Sequence, residues 1–581
     1  MNEAAPDSID QADRAQIDDE LRERVPLMRA EWLPNYLRLI EHDAAPRWNT
    51  RCGDRLEAGD LARIEAFTRE LQKFHDANAN ANANANPNAN ANANANANAN
   101  ANANANANAN ANANQTPPDH ILSWLEQQAG DSLAIQESLR EAAALVRESE
   151  NRAFDLGRDF HLLRSMTRAD LAGRLDTIVP QSIDLERLVV NPTSGTTGQP
   201  IPAPNHPAAV GCYDPLLQAA LRINGIAPEY AGPDKTAAVQ VCAQRRTITY
   251  ATVHSALQGA GFAKINLASS EWRSATHARE YIAELAPFFL SGDPYSFSAL
   301  LQYLEDLRRS DARRNGDAEA DETPAGLFGE SDYRPRALVS TALQLSSGLR
   351  KKLEAAFACP VIDVYSLNET GPVACSVAER PGRMFQLSPD IYIEALHPDN
   401  DAPVSDGDEG EIAVTGGRNP FLPLLRYRSG DTGRIFRRPD GSAELELSHS
   451  RELVLFDFAG DHRAAGREAI INPVDVARIL RRFPIIQFQF TQFANRAGLL
   501  TLQIAGAPPL RHESQIRDQL VELFGFSGPD GLRIDYTDDW SDADFSPGGA
   551  GEAQRKIRPF RKSESPSLSP SAAPQIKAAT E

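Results

Sequence analysis

The chain has 581 residues, 41% hydrophobic and 24% charged, with 59 Lys+Arg against 79 Asp+Glu for a net charge of −20. This is ordinary soluble composition, long enough for roughly three or four domains. The acidic balance excludes non-specific nucleic-acid or anionic-membrane binding as the main business. No run reaches the roughly 18 apolar residues of a membrane span. Met1–Glu23 is acidic and lacks an apolar h-region, so no secretory signal is read and a cytoplasmic location is expected. The cysteines (Cys52, Cys212, Cys242, Cys359, Cys375) are scattered without a CxxC pair, which reads as reduced buried thiols rather than a disulfide frame.

Residues 1–76 read as a helical N-terminal segment, with Leu61, Ile64, Phe67 and Leu71 at spacings of three and four. Residues 77–114 are an Ala-Asn repeat broken once by Pro87. This low-complexity stretch has no apolar face to bury, so a disordered linker is expected. From 115 to 445 a large α/β domain is expected. It opens on a helical stripe of Ile135, Leu139, Ala142 and Val146. Runs reading as strands follow (Arg187–Val190, Ala238–Cys242, Arg336–Ser340, Val361–Tyr365, Glu411–Thr415), with helices at Leu300–Leu307 and Leu349–Ala356. Asp311–Gly329 is polar and acidic and reads as a surface insertion. Residues 446–562 read as a small α+β domain. Its Phe488 and Phe490 alternate with Gln487, Gln489 and Thr491 as a half-buried strand, a second strand runs through Leu500, Leu502 and Ile504, Ile516, Leu520 and Leu523 mark a helix, and Leu532–Tyr536 is a further strand. Residues 563–581 are Ser/Pro-rich and expected to be disordered.

Four stretches carry residue types suited to chemistry. Thr193-Ser194-Gly195-Thr196-Thr197-Gly198-Gln199-Pro200 follows a strand. Gly195 and Gly198 allow close backbone approach, and the hydroxyls of Ser194, Thr196 and Thr197 add donors for an anion such as a polyphosphate. The spacing is not that of a P-loop. Tyr365-Ser366-Leu367-Asn368-Glu369 ends a strand, where α/β sheets place ligands. Tyr365 suits stacking on a base, and Glu369 suits Mg²⁺ as an oxygen ligand. Tyr427-Arg428-Ser429-Gly430-Asp431 reads as a strand running into a tight Gly-flanked turn, whose Asp431 carboxylate suits ribose hydroxyls. Arg555-Lys556-Ile557-Arg558 is a basic knot near the end of an acidic chain.

In this order the four stretches resemble the adenylate-forming superfamily, in its phenylacetate–CoA ligase-like branch. Thr193–Pro200 is similar to the phosphate loop. Tyr365–Glu369 is similar to Tyr-x-x-Thr-Glu, with Asn368 for Thr and Ser366 for Gly. Tyr427–Asp431 matches Tyr-Arg-[Thr/Ser]-Gly-Asp, and Lys556–Phe560 is similar to the segment carrying the C-terminal lysine, with Arg555 in place of Gly. Gly292-Asp293-Pro294 and Pro389-Asp390 to Glu394 also resemble stretches of the branch. Ser340-Thr341-Ala342-Leu343 stands where the family has a Gly-Gly-Glu turn.

The resemblance implies a large multi-sheet N-terminal body, a small C-terminal lid, and ligation in two halves. A carboxylic acid and Mg-ATP give acyl-AMP and pyrophosphate, and a thiol then takes the acyl group. It implies nucleotide contacts from Ser194, Gly195, Thr196, Thr197, Gly198, Tyr365, Asn368, Asp431 and Arg451. Glu369 is implied as the Mg²⁺ ligand and Lys556 as the catalytic cation, with Tyr250 and His254 in the acyl pocket. Tyr250, Phe262 and Trp272 lie in the segment that would shape that pocket and suggest an aryl or long apolar acid. Coenzyme A is the expected acceptor. A carrier-protein phosphopantetheine thiol is the alternative, a catalytically degenerate scaffold is the reading from another class, and the oligomeric state stays open.

Overall fold

A computed structural model describes residues 11–85, 116–192, 202–244, 246–315, 327–378, 380, 382–438 and 441–449. In the C-terminal part it describes 473–480, 482–483, 485–493, 497–504, 509–524, 531–537 and 560–563. These residues fall into two compact units that divide after Glu452. The architecture is mixed α/β.

The larger unit carries a short antiparallel hairpin, β1 (Val189–Pro192) and β2 (Pro202–Asn205), which pair from Val189↔Asn205 to Pro192↔Pro202. Its main sheet is built from β3 (Thr236–Cys242), β4 (Tyr250–His254), β5 (Ala260–Asn266), β6 (Phe289–Gly292), β7 (Ala337–Thr341), β8 (Val361–Leu367), β9 (Gly371–Ser376), β10 (Met384–Gln386), β11 (Ile391–Leu396), β12 (Glu409–Gly416), β13 (Leu424–Arg437) and β14 (Ala443–His449). The order of these twelve strands is β11-β12-β13-β14-β10-β9-β8-β7-β6-β3-β5-β4. The run β5-β3-β6-β7-β8 is parallel. Helices Pro294–Asn315 and Ser347–Phe357 make the crossovers from β6 to β7 and from β7 to β8, as parallel pairing requires. From β8 through β9, β10, β14, β13 and β12 to β11 the pairing is antiparallel. The parallel strands bury nearly every residue, β3 among them, which is why they read as continuous apolar runs instead of alternating ones.

The helices between residues 119 and 178 pack Ile121, Leu125, Ile135, Phe160 and Leu163 against the antiparallel part, on Tyr392, Ile412 and Leu424 among others. A buried ion pair fastens this contact. Arg426 has no solvent exposure, and it meets Glu394 with two bonds of 3.0 and 3.1 Å. It also donates to the carbonyls of His161, Leu163 and Asp401 at 2.8, 2.6 and 2.7 Å.

The smaller unit has β15 (Ile485–Phe493), β16 (Gly498–Ile504), β17 (Leu532–Tyr536) and β18 (Phe560–Ser563) in the order β17-β16-β15-β18. The helix Glu513–Phe524 buries Ile516, Leu520 and Phe524. Phe524 stacks on Phe490 at 4.7 Å.

Several expectations shift. The helix that starts at Ala58 runs to Ala85 and so takes in the first residues of the Ala-Asn repeat. A helix already nucleated by an amphipathic segment adds residues cheaply, and alternate alanines favour this. Residues 86–115 lie outside the described residues. The expected insertion begins with the last turn of the helix Pro294–Asn315, and residues 316–326 are not described. The first strand sits at Val189–Pro192, two residues later than expected. In β15, Gln489, Thr491 and Gln492 are buried along with Phe488 and Phe490, so the strand is enclosed on both faces and not half-buried. Phe524, not Leu523, is the fully buried end of the helical stripe. The strand β18 was not expected. It pairs in parallel with β15 from Phe490↔Phe560 to Phe493↔Ser563. The tail 564–581 is not described. Four of the five cysteines are buried and Cys52 is half-buried, and none is in a disulfide. Burial pushes the thiols of Cys212, Cys359 and Cys375 up to about 12 and that of Cys242 to about 11.

Candidate active site

Two of the sequence motifs meet in the larger unit. Strand β8 extends to Leu367, so Tyr365 lies inside it, and Asn368, Glu369 and Thr370 form the turn into β9. Gly371 closes the turn at φ +78°, where a Cβ would stand 2.3 Å from the Tyr213 ring. Glycine is therefore required there twice over, by conformation and by space.

Asp431 does not sit in a turn. It lies within the long strand β13, on a bulge. Ala413 pairs with Arg428 and Glu411 with Thr432, so one residue of β12 faces three of β13. Gly430 takes φ +78° in the bulge. Ser429 Oγ donates to Ile412 O at 2.9 Å and accepts the Asp431 N–H at 3.1 Å. A bulge of this kind re-aims a side chain without ending the strand.

The result is a cluster. Tyr365 Oη donates to Asp431 Oδ2 at 3.1 Å. Tyr427 Oη donates to Glu369 Oε1 at 2.9 Å. Tyr365, Tyr427 and Glu369 are buried. Burial pushes both phenols well up, with the neighbouring carboxylates adding to the effect: Asp431 first for Tyr365, and Glu369 first for Tyr427. Glu369 Oε2 and Asp431 Oδ1 make no hydrogen bond with the described residues. Among the described residues no group of three or more His, Cys, Asp or Glu side chains is arranged to hold a metal.

Arg418 holds the turn that carries Glu369. It donates to Thr370 O at 2.9 Å and meets Asp390 with two bonds of 3.0 Å. Its guanidinium lies 4.9 Å from the Phe67 ring centre on the helix Ala58–Ala85. Its neighbour Asn419 donates to Pro204 O at 2.7 Å, on the hairpin that brackets residues 193–201. At the end of β7, Thr341 Oγ1 is 2.7 Å from Ser366 Oγ, and Ala342 holds φ +73° in the left-handed region where glycine is favoured. Buried Ser340 Oγ has no hydrogen-bond partner among the described residues.

Tyr250 and His254 lie on the edge strand β4. Tyr250 stacks on Phe262 at 6.0 Å, and His254 lies 5.4 Å from the same ring. His254 Nδ1 is 3.2 Å from Asp214 Oδ2. Burial works against the imidazolium, but Asp214 outweighs it and the His254 pKa goes up. Asp214 follows Tyr213 at the start of the helix Tyr213–Ile223, and Tyr213 packs against Gly371. One helix start therefore joins the His254 segment to the Glu369 turn. Trp272 does not join them. It is buried in the core beside Tyr281, and its indole N–H donates to Asn266 O at 2.7 Å.

Ser194, Gly195, Thr196, Thr197, Gly198, Arg451 and Lys556 lie outside the described residues. Strand β18 begins four residues after position 556. Tyr427 belongs to a motif that sequence reading singled out for Asp431 alone. Arg418, Tyr213 and Asp214 carried no sequence signal, since nothing in one sequence separates Arg418 from the other arginines.

A mixed α/β body with a ligand-suited cluster past the ends of parallel strands, and a separate α+β unit, is the class that the fold and site define. No family model matches the chain. It is 28% identical over 152 residues to phenylacetate-coenzyme A ligase of Escherichia coli (strain K12), a stretch that is 25% of this chain and 31% of that protein. The chain thus spans about a third of the curated relative it matches. Among solved structures it is similar to a 2-hydroxyisobutyryl-CoA ligase in complex with 2-HIB-AMP and CoA, with TM-score 0.44, 17% identity, 73% of this chain and 88% of that one covered. It is also similar to a Brucella canis acyl-CoA synthetase, with TM-score 0.30, 15% identity, and 64% and 62% covered. In its motifs and in its curated relative the chain resembles the adenylate-forming superfamily, in the phenylacetate–CoA ligase-like branch.

Proposed function

We propose that the protein activates a carboxylic acid with ATP and passes the acyl group to coenzyme A. In the first half-reaction a carboxylate oxygen attacks the α-phosphorus, the bond from that phosphorus to the bridging oxygen breaks, and pyrophosphate leaves. In the second, a thiolate attacks the acyl carbon and AMP leaves. The observation that supports this best is the pairing of Tyr365 with Asp431 and of Tyr427 with Glu369. It brings the Tyr365–Glu369 and Tyr427–Asp431 stretches to one place.

The roles follow from chemistry. Asp431 keeps one carboxylate oxygen for a ribose hydroxyl, and Tyr365 and Asn368 border the base. Glu369 is a hard oxygen donor with one oxygen available, which fits Mg²⁺ held mainly through phosphates and water. That ion, when bound, offsets charge on the departing pyrophosphate. Ser194, Thr196 and Thr197, with the N–H groups around Gly195 and Gly198, grip the phosphates. Lys556 stabilises charge as it builds at the α-phosphate. Arg451 adds a nucleotide contact. Tyr250 and His254 border an aryl or long apolar acid, and the smaller unit acts as a lid.

The test is ATP–pyrophosphate exchange over a panel of aryl, hydroxyaryl and fatty acids, followed by weighing the products formed with coenzyme A and with a phosphopantetheinylated carrier protein. Acid-dependent exchange and a coenzyme A thioester are expected. Product on the carrier alone would move the acceptor. No exchange with any acid would overturn the reading in favour of a degenerate scaffold.

A further inference from the structure

Four adjacent strands of the main sheet interrupt their burial at the same height. In β3, Gln240 is half-buried and every other residue is buried. The half-buried residue of β6 is Ser291, those of β5 are Phe262 and Lys264, and those of β4 are Tyr250 and His254. The register aligns four of these: Tyr250 pairs with Lys264, Lys264 with Gln240, and Gln240 with Ser291. Their chain neighbours Ala251, Ala263, Val239 and Leu290 all enter the core on one face, so the four side chains stand in a row on the other. At roughly 4.8 Å between strands the row is about 14 Å long.

Their place in the sheet makes these residues unusual. Strand β3 lies between β5 and β6, and β5 between β3 and β4. Inner strands of such a sheet are covered on both faces and apolar. Further down the same face that rule holds, where Ala238, Ala260 and Phe289 pack in one core with Leu71 and Leu216 of the helices Ala58–Ala85 and Tyr213–Ile223. A lysine and a glutamine in the middle of inner strands serve neither that core nor a sheet edge. Among the described residues the side chains of Gln240, Lys264 and Ser291 make no hydrogen bond or ion pair. At one end of the row Phe262 stacks on Tyr250 at 6.0 Å. At the other, Ser291 pairs with buried Val339 of β7, and two residues on, Thr341 meets Ser366 in the stretch that carries Tyr365 and Glu369. The row thus runs from an aromatic pair toward the candidate active site.

The row supplies an ammonium, an amide and two hydroxyls beside an aromatic ring. A hydrocarbon chain laid across it would strip water from four polar groups and return no hydrogen bonds, which costs free energy. An aryl acid with oxygen substituents replaces that water with acceptors and keeps its ring against Phe262 and Tyr250. We propose that Gln240, Lys264 and Ser291 are specificity-determining residues of the acid site, and that they select an oxygen-substituted aryl acid over a long apolar one. This rests on the proposed ligation in taking the bound acid as the substrate, and it narrows that acid to one class.

Calorimetric titration of caffeate, cinnamate and decanoate into the full chain without ATP tests this as binding, apart from turnover. Caffeate should bind about ten-fold more tightly than cinnamate, which lacks the ring hydroxyls, and than decanoate, as one net hydrogen bond provides. Lys264→Met and Gln240→Leu should each weaken caffeate and strengthen cinnamate, so that the preference disappears. A damaged fold would weaken both acids and could not move them in opposite directions. Ser291→Ala, a smaller change, should shift the ratio the same way and decides if the larger variants fail to fold. Equal wild-type affinities for caffeate and cinnamate, a preference for decanoate, no binding of any of the three, or a preference that survives all three substitutions would overturn the proposal. ATP–pyrophosphate exchange with the same acids separates this from the ligase reading. A caffeate preference in binding without exchange supports the row and overturns the ligase, and exchange that favours decanoate does the reverse.

Discussion

The Tyr427 hydroxyl donates to Glu369 Oε1 at 2.9 Å across 58 residues of sequence, between two buried side chains. The strongly raised pKa of the phenol keeps it a donor at any working pH. A neutral donor on a carboxylate makes a charge-assisted bond, stronger than one between neutral groups. It fixes which oxygen of Glu369 is used within the protein and which one is left over.

Replacing Tyr427 with Phe keeps the ring and removes that bond. The loss is about 1.5–3 kcal/mol, the worth of a hydrogen bond to a charged group. If Glu369 holds Mg²⁺, exchange activity should fall on the order of 10- to 100-fold and the Mg²⁺ concentration for half-maximal rate should rise. A variant with lower stability but the same Mg²⁺ dependence would assign Tyr427 a packing role only.

Arg418 makes a second, separable prediction. Arg418→Met leaves Asp390 without its ion-pair partner, with the Ser388 hydroxyl still donating to it, and Thr370 O without the Arg418 donor. Breaking a buried pair costs about 3–5 kcal/mol, and the partial exposure of Asp390 puts this case at the lower end. Arg418→Met with Asp390→Asn should recover most of the stability in urea unfolding. It should not recover exchange activity, because the turn carrying Glu369 is still unheld. Recovery of both together would show that Arg418 acts on stability alone.

The alternation of strand and helix was legible because a parallel sheet needs apolar strands between amphipathic helices, and β3, β7 and β8 carry that pattern openly. The motifs around Tyr365 and Asp431 were legible as glycine- and carboxylate-bearing loops. The bulge at Asp431 was not. A Gly-Asp pair in a strand and in a turn has the same residues, and only the pairing of Ala413 with Arg428 and of Glu411 with Thr432 tells them apart. Arg418 and Arg426 were illegible for a different reason. Each is defined by partners tens to hundreds of residues away, and an ion pair leaves no periodic trace. The helix past Asp76 escapes a residue-by-residue weighing of propensity, because propagation from a formed helix is cooperative.

The pair of Arg426 and Glu394 should behave as a buried ion pair does. Arg426→Met leaves Glu394 and three carbonyls unpartnered and should cost at least about 3–5 kcal/mol. Arg426→Met with Glu394→Gln should cost clearly less than the single change, since no charge is then stranded. Urea midpoints of the single and double variants measure the difference. A double variant as unstable as Arg426→Met would place the loss in the carbonyl bonds instead.

Asp363 gives a pH dependence whose sign is fixed. Burial raises its carboxyl to about 6, with Arg350 opposing the rise, whereas an unfolded Asp titrates near 3.9. Between about pH 4 and 6 the folded chain holds a proton that the unfolded chain has lost. The unfolded state binds fewer protons, so stability falls as pH rises through this window and the loss is complete above it. A rise of this size corresponds to roughly 3 kcal/mol at most, and the residual exposure of Asp363 brings this nearer to one or two. Asp363→Asn should remove the penalty. Its urea midpoint should match wild type near pH 4 and exceed it increasingly up to about pH 6, with a constant gap beyond. A gap that does not change with pH, or one in favour of wild type at neutral pH, would mean that Arg350 neutralises Asp363 in the folded state and that the carboxylate is stabilising there.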